Sequence, residues 1–191
     1  MFAEFLKERT MEAHASLEKK LVVHIKNVES ISDYTDLLLL LYPFHLRVSE
    51  LLACSLVELP EHKPDPARIG NLQADLLHFG RKLEYESFDI PKMPAITSTE
   101  EAWGIVYVLE GSTMGGQIIT RILSRSMNVP GDIGFSFFNP YHSNTAAKWE
   151  GFKNKLNDAA GSLDQEKIIQ AANHFFDNYN QWIRVNEPAR Y

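Results

Sequence analysis

Residues 98–117 read STEEAWGIVYVLEGSTMGGQ, and no other part of the chain carries so many structural signals. Ser98 belongs to the residue types that cap helix N-termini, and Glu101, three residues later, completes a capping-box pattern. Pro130 and Gly131 are residues that end helices. We therefore expect one helix from about residue 98 to Met127.

Three glycines, Gly111, Gly115 and Gly116, interrupt this helix. Each interior glycine costs roughly 1 kcal/mol relative to alanine, so the three together cost about 3 kcal/mol. Gly111 and Gly115 are four residues apart and share one face of a helix. Such a notch suits either a second helix packed against small residues or a flat ligand pressed against a bent helix. Spacing alone leaves both explanations open.

Apolar residues recur with helical periodicity along the chain, and no run alternates with the period of a β-strand. Pro43 is expected to kink the second helix, because proline lacks a backbone donor. We find no repeat and no linker long enough to divide two domains. We predict an all-α fold in a single domain over residues 1–191, with helices over residues 2–25, 30–59, 68–80, 98–127, 145–160 and 163–185.

Composition narrows the classes of function. The 19 basic and 25 acidic residues give a net charge of −6, and no basic block stands out, so we expect no nucleic-acid partner. The longest apolar run, residues 37–44, is far shorter than the roughly 20 residues that cross a bilayer. The N-terminus lacks a signal-peptide pattern, and Cys54 is the single cysteine. We expect a cytoplasmic protein with no membrane association.

His14 lies in the first predicted helix, with Lys7, Thr10 and Glu18 on the same side. A metal-ligating imidazole commonly gives its second N–H to a carboxylate, and Glu18 is one turn away. Lys7 is two turns away, about 10 Å along the axis, a reach suited to an acidic group at the rim of a large ligand. The alternative is a surface histidine in a solvated, charged stripe, which is the more common role of a lone helical histidine.

The other histidines form no metal-binding pattern. There is no Glu-x-x-His motif, which argues against a di-iron carboxylate bundle. Asp75 and His78 come nearest to it, and we assign them to a solvated helix face. Cys54 is interpreted as a small buried residue. The aromatic stretch 134–141 is expected to pack in the core, and most of Lys148, Lys153 and Lys155 are expected to face solvent.

Several stretches of the chain, taken together, resemble those of haem oxygenases. Residues 6–18, LKERTMEAHASLE, are similar to the proximal-helix motif of that family, and residues 107–117, YVLEGSTMGGQ, resemble the distal-helix motif of its bacterial, biliverdin-producing branch. Residues 75–80, the pair Phe137-Phe138 followed by Trp149, and residues 175–182 are also similar. The likeness covers nearly the whole chain in the right order.

The resemblance implies a helical fold with haem b between a proximal and a kinked distal helix, and His14 as the axial iron ligand. It implies cleavage of haem to biliverdin, carbon monoxide and ferrous iron, using dioxygen and electrons from a ferredoxin or flavoprotein reductase. The residues expected to bind haem are Lys7, Thr10, His14, Glu18, Tyr107, Gly111 and Gly115. The residues expected to act at the distal face are Gly111, Ser112, Gly115 and Gly116.

Two departures from the family pattern stand out. Ser112 replaces the aspartate that animal enzymes carry, so other groups must organise the distal water, and residues 139–143 differ from the glycine-rich form of relatives. The first alternative function is a haem carrier or sensor that does not turn over. A second is a related helical fold with Cys54 as nucleophile on thiamine-like substrates, and a third is a purely structural bundle.

Overall fold

The computed structural model describes residues 1–55, 57, 67–83, 91–131 and 133–186. These ranges contain helices and turns but no strand, which confirms the predicted all-α fold. Short 3-10 turns follow α4, at Thr113–Gly115, and precede α6, at His142–Asn144. The α-helices are α1 (Phe2–Lys26), α2 (Ile31–Cys54), α3 (Ala67–His78), α4 (Thr99–Ser112), α5 (Gly116–Ser126), α6 (Thr145–Ala159) and α7 (Gln165–Asn186).

Local capping explains where two helices begin. The Ser30 hydroxyl accepts a hydrogen bond from the Asp33 backbone N–H, and the Asp33 carboxylate accepts one from the Ser30 N–H, at 3.2 and 2.9 Å. At the start of α4, the Ser98 hydroxyl accepts from the Glu101 N–H at 3.2 Å. These bonds satisfy backbone donors that the first helical turn leaves without partners. The predicted starts at both positions are confirmed.

Three of the predicted helices differ from the structure. The second was expected to reach Leu59, but Ser55 has extended backbone angles and α2 ends at Cys54, with Pro43 inside it. Helix α3 ends at His78 rather than Gly80, which has a φ of +76°. The single helix over 98–127 is wrong: a 3-10 turn separates α4 from α5 at the glycines.

Helix α7 packs against α4 and α1, and the crossing with α4 is unusually close. A Cβ atom on Gly104 would lie 2.6 Å from the Ile168 carbonyl oxygen and 2.7 Å from the Ala171 Cβ. Next to it, Trp103 is completely buried. Gly104 therefore lets the two backbones approach to near contact in the core.

Helix α2 is long and apolar enough to cross a membrane, with a mean hydropathy of 1.5 over its most apolar 18 residues. Half of that window is buried inside the fold, where α2 packs against α3 and α7. Burial of apolar side chains against other helices accounts for this composition.

Two assignments made from the sequence are wrong. Asp75 does not lie on a solvated face but is only 1% exposed, because its carboxylate accepts the backbone N–H groups of Ser136 and Phe137 at 2.9 and 2.8 Å. Cys54 is exposed rather than buried, since it is the last residue of α2. In contrast, Phe135 and Phe137 are buried, as core packing of the aromatic stretch requires.

We expect Gly104→Ala to lower the free energy of unfolding by about 1–3 kcal/mol, because the added methyl group overlaps α7. Helix propensity alone predicts the opposite, a gain of about 1 kcal/mol. Urea denaturation measures the change. The control is Gly70→Ala in α3, where a Cβ meets nothing within 4 Å and a small gain is expected. A Gly104→Ala protein as stable as the control would contradict the close crossing.

Candidate active site

His14 lies on the face of α1 that packs against the core. Residues at helical spacing above and below it on that face, Ala3, Thr10, Leu17 and Ile25, are each at most 5% exposed. The His14 side chain, however, is 57% exposed. The buried face of α1 therefore opens to solvent at His14, and Lys7 and Glu18 on the same side of the helix are exposed as well.

Two neighbours orient the His14 ring. Its Nδ1 lies 3.9 Å from a carboxylate oxygen of Glu18, which is too long for a direct hydrogen bond and within reach of one bridging water. The ring also meets Phe176 of α7 edge to face, with centroids 5.5 Å apart. With Nδ1 turned towards the carboxylate, Nε2 is the nitrogen available to a ligand.

A contact between Thr10 and Tyr107 brings α1 and α4 together. The Thr10 hydroxyl donates to the Leu6 carbonyl at 2.8 Å, and the Tyr107 hydroxyl hydrogen-bonds with the Thr10 side chain. Both residues are buried, and burial raises the pKa of Tyr107. Thr10 is one turn before His14, and Tyr107 is one turn before Gly111. The two stretches that resembled haem oxygenase motifs are therefore adjacent in the fold.

The three glycines have different surroundings. A Cβ on Gly116 would overlap the Phe138 carbonyl, so this glycine is required for packing. A Cβ on Gly111 would make ordinary contact with the Trp149 ring at 3.5 Å. A Cβ on Gly115 would meet only an Ile119 methyl group, at 3.7 Å. Packing therefore explains Gly116, whereas Gly115 borders space that a side chain would enter.

An exposed apolar row runs from the 3-10 turn into α5. Met114, Ile118 and Ile122 are spaced four residues apart, and Ile118 is 62% exposed. Met11, on α1, is also exposed. Large apolar side chains exposed in a row commonly mark a surface that binds a ligand or partner. This row was not predicted from the sequence, although apolar residues at every fourth position of a polar helix are a recognisable signal.

A sequence profile described as heme oxygenase matches residues 1–185. The chain belongs to the haem oxygenase family. Its fold is similar to that of a haem oxygenase from Neisseria meningitidis, solved with NO and with CO bound, with a TM-score of 0.77 and 26% sequence identity. That match covers 97% of this chain and 91% of the Neisseria chain. No curated protein sequence matches significantly.

The basic residues near the site differ in whether they already contact a carboxylate or an aromatic ring. Lys153 Nζ lies 2.7 Å from Glu150 and 3.6 Å from Glu4, and these carboxylates raise the pKa of Lys153. Lys148 lies over the Tyr141 ring. Lys7 is exposed and forms no ion pair with any residue in the described part of the chain. Lys7 is therefore the cation on the His14 face of α1 that a bound acid can engage.

The Ser112 hydroxyl is directed at α3. It donates to the Leu109 carbonyl at 2.7 Å and accepts a hydrogen bond from Arg68 Nη2 at 2.8 Å. A second nitrogen of Arg68 donates to the same Leu109 carbonyl at 3.0 Å. Arg68 thus ties α3 to the end of α4, a role that the sequence did not indicate because the two residues are far apart in the chain.

A cavity of about 200 Å³ lies on another side of α4, between α2 and α3, and Val106 and Glu110 line it. His45 is fully buried at its wall, with Nε2 2.8 Å from the Tyr179 hydroxyl. Burial and the nearby Arg68 hold the pKa of His45 well below its usual range, so the ring is neutral. The sequence did not single out His45.

The contrast between adjacent glycines gives a test. We expect Gly116→Ala to lower the free energy of unfolding of the haem-free protein by about 1–3 kcal/mol, because a methyl group displaces the Phe138 carbonyl. Gly115→Ala should raise stability slightly, through helix propensity. Thermal or urea denaturation of the two variants checks the difference. Equal effects would mean that residues 134–139 do not press on the start of α5.

Proposed function

We propose that this haem oxygenase binds haem b through His14 and cleaves it to biliverdin, carbon monoxide and ferrous iron. Dioxygen is the oxidant, and a ferredoxin or flavoprotein reductase supplies electrons from outside. The observation that carries the proposal is the exposed His14 ring next to the buried residues of α1, one helical turn after the contact that joins Thr10 to Tyr107 of α4. We further propose that residues 1–191 act as one domain in the cytoplasm.

The residues around the opening fit haem. His14 Nε2 is available to iron, while Phe176 packs against the ring and the Glu18 carboxylate lies 3.9 Å from Nδ1. The apolar row on α5 suits the flat, apolar face of a porphyrin, and Lys7 suits a propionate at its edge. The site thus offers one nitrogen ligand, one apolar wall and one uncommitted cation.

Bound haem supplies both the iron that binds dioxygen and the carbon that is oxidised, so the protein's task is orientation and electrostatics. Gly115 contributes by leaving space next to the distal backbone. The Ser112 hydroxyl donates its one hydrogen bond to the Leu109 carbonyl and accepts one from Arg68, so its O–H is directed away from that space. Protons at the distal side then have to reach the substrate through ordered water rather than from this side chain.

Replacing His14 tests the ligand. We expect His14→Ala to lose the histidine-ligated absorption spectrum of the haem complex while its circular dichroism stays helical, because an exposed side chain contributes little to the core. His174→Ala is the matched control, an exposed histidine on α7. An unchanged spectrum in His14→Ala would assign the iron to another residue. In wild type, a reductant added in air should produce biliverdin, whereas a carrier or sensor would keep its haem intact.

Gly115 separates catalysis from binding. Gly115→Leu should bind haem through His14 and yet lose most biliverdin formation, because the side chain occupies the space beside the distal backbone. The measurement is the yield of biliverdin per haem together with the haem dissociation constant. Gly70→Leu on α3, where a side chain also meets open space, should keep full turnover. Full turnover by Gly115→Leu would remove this residue from the distal assignment.

A further inference from the structure

The loop of residues 134–139, called here the aromatic loop, is attached to α2 and α3 by buried side chains. The Tyr34 hydroxyl donates to the Gly134 carbonyl at 3.0 Å. The Asp75 carboxylate accepts the backbone N–H groups of Ser136 and Phe137, one on each oxygen. Tyr34 and Asp75 are both almost fully inaccessible to solvent. One side of the loop is therefore fixed to the core of the fold.

The other side of the aromatic loop contacts the distal helix, which consists of α4, the 3-10 turn and α5. The Phe138 carbonyl occupies the position that a side chain of Gly116 would take. Gly116 is the first residue of α5, and its N–H donates to the Thr113 carbonyl at the end of the 3-10 turn. The loop thus meets the distal helix at the junction where the helix changes its geometry, one residue after Gly115.

The chemistry of Asp75 suits a holding role. Burying a carboxyl group is costly unless its oxygens are hydrogen-bonded, and here both oxygens are. Burial raises the pKa of Asp75, while the two backbone donors act in the opposite direction. An apolar residue would avoid this cost but would leave the buried N–H of Phe137 and the partly buried N–H of Ser136 without this acceptor. The carboxylate is therefore specific to the backbone geometry of the loop.

We propose that Asp75 is a positioning residue for the distal helix: through the aromatic loop, it holds the Phe138 carbonyl against Gly116 and so fixes where α4 and α5 break. Asp75 touches neither Gly115 nor His14 in this role. Its effect on haem cleavage rests on the proposed function, whereas its hold on the junction does not depend on haem.

Amide hydrogen exchange of the haem-free protein tests the hold. Asp75→Asn keeps the shape of the side chain but replaces one acceptor with a donor. We expect exchange at the amides of Asn139 and Gly116 to accelerate by about tenfold, with much smaller changes in α1, since one buried hydrogen bond is lost. The control is Asp164→Asn, because Asp164 also accepts two backbone N–H groups, those of Glu166 and Lys167 at the start of α7. It should leave both amides unchanged.

Acceleration at Asn139 without Gly116 would overturn the proposal, because the loop would then move independently of the distal helix. Uniform acceleration of all amides would overturn it as well, since Asp75 would only stabilise the whole fold. If Asp75→Asn does not fold, Tyr34→Phe removes the other attachment of the loop with less disturbance. It should accelerate the same two amides to a smaller extent, and unchanged exchange there would count against the proposal.

Measurements on the haem complex test whether Asp75 affects catalysis. With haem affinity within about threefold of wild type, Asp75→Asn should give a clearly lower biliverdin yield per haem, because the junction no longer holds Gly115 in place. An unchanged yield alongside faster exchange at Gly116 would contradict the catalytic part. If wild type itself does not cleave haem, the proposed function fails while the exchange result still decides the role of Asp75.

Discussion

The contact between the Phe138 carbonyl and Gly116 is the constraint on which the distal side of this protein depends. It lies four residues after the end of α4, the helix that the Ser98 cap begins, and one residue after Gly115, where a Cβ would meet only an Ile119 methyl group. A backbone carbonyl can occupy this position only if the residue that it contacts has no side chain and if its own loop is fixed in place. Gly116 meets the first need, and the attachments of the aromatic loop to Tyr34 and Asp75 meet the second.

The proximal side follows from a different constraint, the packing of α1 against α7. Leu17 and Ile25 are buried, and polar contacts such as Arg9 with Glu166 reinforce the pairing at its edge. His14 points to the same side as these core residues but meets an opening, bordered by Phe176. A rigid helix thus presents an imidazole at a fixed place, which is what a site for a rigid ligand requires.

Helix starts and the family could be predicted from the sequence, because capping patterns and spaced motifs are local. The pairing of Ser30 with Asp33 is complete within four residues. The burial of Asp75 could not be predicted, since its partners lie about sixty positions later in the chain and the aromatic loop supplies only backbone atoms. Likewise, the sequence placed Gly111 and Gly115 on one helix face but gave no reason for Gly116, which the position of the Phe138 carbonyl supplies.

The crystal structure of the haem complex tests most directly whether the opening at His14 is the haem site. We predict that the iron is bonded to His14 Nε2 and that one porphyrin face lies against the row that contains Ile118. The propionate edge of the porphyrin should lie near Lys7. Haem found in the cavity lined by Val106 and Glu110, or iron bonded to another histidine, would contradict this account.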